Sequence, residues 1–247
     1  MPGLCAACAA LSLLAPAVAL AQGGPPMVTD DPDTPGNGRW EINLAAIGNH
    51  TPGLAELTAP DADINYGWGD HLQLKLDTAW LVADEAGRGL ISGAGAPDLG
   101  VKWRFLDQES AGFSMSTYPQ YVVNYAASSS ARGLTEPGRQ FFLPIEASTK
   151  IGRWGLDGEV GRNFASEIPG SWAAGLILAR ELAPGLVWMA EVRESLTPHD
   201  IQTLVNLGAH LRLNGSLNLI GALGRDIGPH AYDREDILFY LGLQLEL

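Results

Sequence analysis

The chain has 247 residues, a formal net charge of −13, 17% charged residues, 30 glycines and a mean hydropathy of +0.05. So acidic a balance leaves no basic stripe for a phosphate backbone, which excludes nucleic acid as a partner. The hydropathy is too low for a bundle of membrane helices and fits a membrane chain whose apolar and polar residues alternate.

The first stretch, MPGLCAACAALSLLAPAVALAQGG, is apolar and reaches Ala19-Leu20-Ala21 before Gln22. It predicts a secretory signal over residues 1–21 with an A-x-A cleavage site. No Lys or Arg precedes Arg39, so the usual basic n-region is missing, which a mis-assigned start codon would explain. Pro16 interrupts a short span and argues against an anchor helix. Cys5 and Cys8 both fall here, and neither follows a lipoprotein cleavage box. The mature chain is therefore expected to lack disulfides, thiolate metal sites and cysteine nucleophiles.

Residues 22–38, QGGPPMVTDDPDTPGNG, read as extended or turning chain. This tail either hangs in the periplasm or folds into a barrel as a plug. Asp30, Asp31 and Asp33 lack the spacing and terminal glutamate of a helix-loop-helix calcium site.

From residue 39 onward, runs with a period of two dominate. Trp40, Ile42, Leu44 and Ala46 oppose Glu41 and Asn43. Ala62, Ile64 and Tyr66 oppose Asp61, Asp63 and Asn65, and a tight turn follows at residues 67–70. Leu72, Leu74, Leu76 and Trp80 oppose Gln73, Lys75 and Asp77. Residues 83–96 read as a long glycine-rich loop. Leu99, Val101, Trp103 and Phe105 then oppose Asp98, Lys102 and Arg104. One strand is predicted over residues 113–125, with Ser114, Ser116, Tyr118 and Gln120 on its polar face, before a loop at 126–138.

The second half repeats the rhythm. Phe141, Leu143 and Ile145 oppose Gln140 and Glu146, while Trp154, Leu156 and Val160 oppose Asp157 and Glu159. Trp172, Leu176 and Leu178 form one face of the next run, and Trp188, Ala190 and Val192 oppose Glu191 and Arg193. Val205, Leu207 and Leu211 oppose Asn206, His210 and Arg212. Asn214-Gly215 is the strongest hairpin signal. The last stretch sets Ile237, Phe239, Leu241, Leu243, Leu245 and Leu247 against Asp236, Tyr240, Gly242, Gln244 and Glu246.

This is an all-β pattern of about twelve strands, an even number. Connections near Gly69, Asp107, Arg153, Pro184 and Gly215 are short, and those near His50, Gly89, Ser129, Ser166, Pro198 and His230 are mostly longer. The expectation is a closed antiparallel transmembrane β-barrel over residues 39–247, with short periplasmic turns and longer extracellular loops. A final strand pairing with the first would remove every edge. Trp68, Trp103, Trp154 and Trp188 sit near strand ends, where an interfacial girdle needs them. A soluble β-sandwich is the alternative architecture.

The motif Tyr240-x-Gly242-x-x-Leu245-x-Leu247 resembles the terminal signal read by barrel-insertion machinery, with Leu247 where an aromatic residue is usual. PPMVTDDPDTPGNGRWEIN (25–43), PDLGVKWRFLD (97–107), FFLPIEASTKIGRWGLDGEVGRN (141–163) and FYLGLQLEL at the end resemble a bacterial family of outer-membrane transporters. Its members are also named for the meta-pathway of phenol degradation. The resemblance implies an outer-membrane barrel in a Gram-negative bacterium and a small-molecule solute, and it carries over no catalytic residue.

In a barrel, the inner face would carry Glu41, Asp61, Asp63, Lys75, Asp77, Asp98, Lys102, Arg104, Glu146, Asp157, Glu159, Glu191, Arg193, His210 and Arg212. These charges either pair across the lumen and fill it, or line a hydrated path and set its selectivity. No serine stands in a nucleophile context, the five histidines lack metal-ligand spacing, and no cofactor motif is present. The expected function is passage of a small hydrophilic or aromatic solute, without enzymatic chemistry, cofactor or metal. A plugged scaffold barrel is the alternative. Outer-membrane lipids are the expected surroundings.

Overall fold

A computed structural model of the chain describes residues 23–228 and 235–247. The expected signal segment with Cys5 and Cys8, and the loop position His230, lie outside the described residues.

The first half contributes β1 (Trp40–Thr51), β2 (Leu54–Trp68), β3 (Leu72–Glu85), β4 (Gly89–Ala94), β5 (Asp98–Leu106), β6 (Ser114–Thr117) and β7 (Gln120–Val123). The second half contributes β8 (Arg139–Ile151), β9 (Trp154–Ala165), β10 (Ser171–Ala183), β11 (Leu186–Leu196), β12 (Ile201–Arg212), β13 (Leu217–Ile227) and β14 (Ile237–Glu246). All pairings are antiparallel, and each long strand bonds to its sequence neighbours. β14 pairs with β1 from Glu41↔Glu246 to His50↔Ile237, which closes the sheet. Trp40 and Leu247 exchange both backbone hydrogen bonds at 2.9 Å, so closure reaches the last residue. The result is a twelve-strand barrel with two extra strand segments, not a two-sheet sandwich.

The extra segments mark two departures from the sequence pattern. The glycine-rich stretch after residue 83 contains β4, which pairs with an extended β3 from Trp80↔Ala94 to Glu85↔Gly89. The run over residues 113–125 is split at Tyr118-Pro119 into β6 and β7. Pro119 has no N–H for the ladder, though its carbonyl still accepts from Val101 N. Two shorter differences concern turns. β2 begins at Leu54, so its connection to β1 is only residues 52–53. The turn at Asn214-Gly215 has no positive-φ glycine; the Asn214 side chain instead accepts from Ser216 N at 2.9 Å. Gly152 and Gly185, at φ 64° and 77°, supply the left-handed position in the turns before β9 and β11.

The barrel is inverted relative to a soluble fold. Leu44, Leu76, Val101, Leu176, Leu207 and Leu241 point outward, while Asn43, Asp63, Lys102, Glu146, Asp157 and Glu159 are buried. Alternation sends the apolar residue of each pair to the outside, the arrangement a lipid solvent selects. Trp40, Trp68, Trp103, Trp154 and Trp188 ring the short-turn end, and Trp80 and Trp172 lie toward the other. Arg180 stacks over Trp154 at 4.9 Å and Arg162 over Trp172 at 5.4 Å. These pairs hold a charge at each rim of the apolar belt.

Candidate functional site

Residues 23–38 fold into the lumen from the short-turn end. Gly38 N donates to Gly67 O and Gly67 N to Arg39 O, both at 2.9 Å, and Gly69 N donates to Asn37 Oδ1 at 3.0 Å. The chain then passes Arg104, whose Nη1 lies 3.2 Å from Asp33, and reaches Lys102. Lys102 Nζ is 2.9 Å from Asp30 Oδ1, bonds the Asp31 carbonyl, and lies 3.5 Å from Glu146. Burial and the adjacent Asp33 push the Asp31 carboxyl well above its usual range.

The tail next crosses to the opposite wall. Thr29 N and Val28 N donate to the two Glu191 oxygens at 2.6 and 3.2 Å. Met27 packs among Ile177, Ala179, Val187 and Met189, and His210 Nε2 donates to the Pro25 carbonyl at 3.0 Å. The wall is carved to accept this path. A Cβ on Gly175 would lie 1.9 Å from Thr29 Oγ1, and one on Gly208 2.0 Å from the Met27 methyl. Gly175→Val should therefore expel the tail without disturbing the barrel ladder. Maleimide labelling of Met27→Cys, buried in the parent, should rise several-fold in the double variant; unchanged labelling would show that the tail tolerates the clash.

The wall formed by β2, β3 and β5 carries a row of three carboxylates. Asp63 faces Asp77 and Asp77 faces Asp98 across neighbouring strands. Like charges placed opposite repel, and Lys75 answers all three: its Nζ lies 3.8 Å from Asp63 and 3.9 Å from Asp77 and Asp98. Further round the same wall, on β8 and β9, Glu146 sits opposite Glu159. Lys102 offsets the first, and Arg193 Nη1 bonds the second at 2.6 Å. Tyr118, 1% exposed, lies beneath the two lysines, with Lys102 Nζ 4.6 Å and Lys75 Nζ 5.8 Å from its ring centroid. Gly100 makes room for that ring, since a Cβ there would stand 2.8 Å from it.

Of the charged residues read from the pattern, Glu41, Asp61, Asp63, Lys75, Asp77, Asp98, Lys102, Arg104, Glu146, Asp157, Glu159, Glu191, Arg193 and His210 are buried or half-buried. Arg212 is exposed at the short-turn rim beside Gly185. The pattern left a luminal plug open as one of two readings of the tail and gave Asp30, Asp31, Asp33 and Thr29 no partners there. The one signal for it is the inner face of β10 and β11, where Ala173, Gly175, Ile177, Ala179, Val187 and Met189 break the polar alternation. Among the described residues no group of three or more His, Cys, Asp or Glu side chains has metal-holding geometry.

Space remains beside the tail. A cavity of about 220 Å³ at the long-loop end is lined by Asp98, Gln120, Gln140, Asn163 and Ser195. It shares Gln120, Phe142 and Arg193 with a cavity of about 340 Å³. That one in turn shares Asp30, Asp63 and Lys75 with a cavity of about 90 Å³ toward the short turns.

No family model matches the sequence, and no curated protein sequence matches it. The likeness is in fold. A crystallised outer-membrane channel from Pseudomonas putida F1 superposes with TM-score 0.73 at 15% identity, covering 88% of this chain and 98% of that one. The NanC porin gives 0.61 at 5% identity over 83% of this chain and all of its own, 100%. The KdgM porin complexed with disordered oligogalacturonate gives 0.56 at 7%, over 82% and 98%. The chain thus has the fold of an outer-membrane β-barrel channel.

Proposed function

We propose that this protein is an outer-membrane channel of a Gram-negative bacterium that passes small solutes without altering them. On the motifs quoted above we place it with the transporter family named for phenol degradation. The observation that carries the reading is the file of three cavities sharing walls from the long-loop mouth to the short-turn end. The smallest, about 90 Å³, holds only on the order of three waters. With the tail in place the path suits ions and very small solutes.

Acid groups outnumber basic ones along it, since Lys75, Lys102 and Arg193 stand among Asp30, Asp31, Asp33, Glu41, Asp61, Asp63, Asp77, Asp98 and Glu159. A lumen so lined favours cations. In planar bilayers under a potassium chloride gradient, the reversal potential should show cation preference, and Arg104→Glu should strengthen it. Anion preference would overturn the reading. A second reading, a plugged barrel that scaffolds the envelope, draws on the tail's anchoring to both walls. Absence of any conductance in the same bilayers would favour it.

A further inference from the structure

We propose that the 340 Å³ cavity is a binding site for an organic ammonium ion with a compact apolar body. The inference rests on the channel reading for its biological sense but not for its geometry. Asp61 carries it. Its residue is 8% exposed, it lines the cavity, and among the described residues it has neither a hydrogen-bond donor nor an ion-pair partner. The neighbouring cation, Lys75, is already set among Asp63, Asp77 and Asp98. The Asp61 oxygens keep accessible surface on the cavity, where a cation entering the lumen can reach them. Lys75 attracts Asp61 from beyond ion-pair distance, and among the described residues no cation sits against it, so the cavity has room for one.

Tyr240 lines the same cavity. The Tyr240 hydroxyl is buried without a hydrogen-bond partner. Its ring leans along the wall over Gly242, where a Cβ would stand 2.9 Å from Tyr240 Cε1. Gly242 and Asp61 both pair with Ala45, so the phenol and the carboxylate lie at one level of the barrel. An ammonium group between them could donate to both and meet the ring face.

The rest of the lining selects the body of the ligand. Ile47, Leu238, Ala222, Val28 and Phe142 complete the cavity with apolar surface. Inorganic cations gain nothing from such a wall. The point on which Asp63, Asp77 and Asp98 converge is taken by the Lys75 ammonium, and among the described residues no such group has metal-holding geometry, which disfavours a divalent metal. The volume admits a molecule on the order of ten non-hydrogen atoms, near the lower limit of small-ligand pockets. Charge at one end and hydrocarbon at the other is the mixture by which such pockets fix orientation.

The test is calorimetric titration of the detergent-purified full chain with 2-phenylethylammonium, 2-phenylethanol, 3-phenylpropionate and potassium. The ammonium compound should bind. The alcohol and the acid should bind at least roughly tenfold more weakly, the loss expected for one charge-assisted hydrogen bond. Asp61→Asn should weaken the ammonium by a similar factor while the heated unfolding midpoint does not fall, because the carboxylate it removes has no partner to lose. Tyr240→Phe should weaken it less. Equal binding of alcohol and ammonium, indifference to Asp61→Asn, or full competition by potassium at matched concentration would each overturn the site. Bilayer conductance of the parent protein is read separately. Conductance without ammonium binding removes this site and leaves the channel; binding without conductance does the reverse.

Discussion

A chain lacking residues 23–35 should conduct several-fold more per channel than the parent and lose most of its discrimination by size. The reason is volumetric. Eight-stranded barrels are filled by their own side chains, and barrels of sixteen or more leave an aqueous channel. A twelve-strand wall lies between these limits, and here the tail takes up the difference. Thr29 is fully buried and Met27 is 5% exposed, in the middle of the lumen. The barrel should survive the deletion, because its closure is a continuous ladder from β1 to β14 that the tail does not enter. What the tail leaves behind is Glu191, Arg193 and Lys102, which water can then solvate. Single-channel recording checks this. Equal conductance with and without the tail would show that the constriction lies in the wall, and the three-cavity path would lose its physical basis.

The same tail shows where sequence reading stops. The wall was legible because lipid imposes one rule on every strand: Leu72, Leu74 and Leu76 must face out, so Gln73, Lys75 and Asp77 face in. That rule also assigned β14 its partner, since an open edge in lipid leaves backbone groups unpaired. It failed where the solvent was not lipid. β4 lies on the extended part of β3, beyond the regular two-strand rhythm, and its Gly-Leu-Ile-Ser-Gly-Ala run carries no clear alternation. Pro119 was visible, yet a broken strand and a continuous one share the same inward set, Ser114, Ser116, Tyr118 and Gln120. The tail's position stayed open between periplasm and lumen. Proline and glycine announce extended chain, but Thr29 finds Glu191 across 162 positions, and no local period encodes that meeting. Only the loss of polar alternation on the inner faces of β10 and β11 hinted that something apolar would lie there.

Lys102→Met should destabilise the folded barrel by about 3–5 kcal/mol, the cost of leaving a buried charge without its partner. Lys102 is 1% exposed and Glu146 is not exposed at all. Without Lys102, Glu146 keeps only the Ser116 hydroxyl, and it stands opposite Glu159 on the next strand. Asp30 loses its 2.9 Å partner as well, so the tail should loosen in the same variant. Arg104→Met gives the contrast. Arg104 also holds the tail, at 3.2 Å from Asp33, but its partners Asp33 and Asp107 have side chains 33% and 36% exposed. Water can replace an arginine there, and the expected loss is about 0–1 kcal/mol. Urea unfolding in detergent measures both. The double variant Lys102→Met with Glu146→Gln should recover much of the first loss, because it removes the stranded charge rather than a favourable contact. Similar losses for the two single variants would mean that Lys102 is hydrated through the lumen. The charges on this wall would then form a wet path and not a structural core.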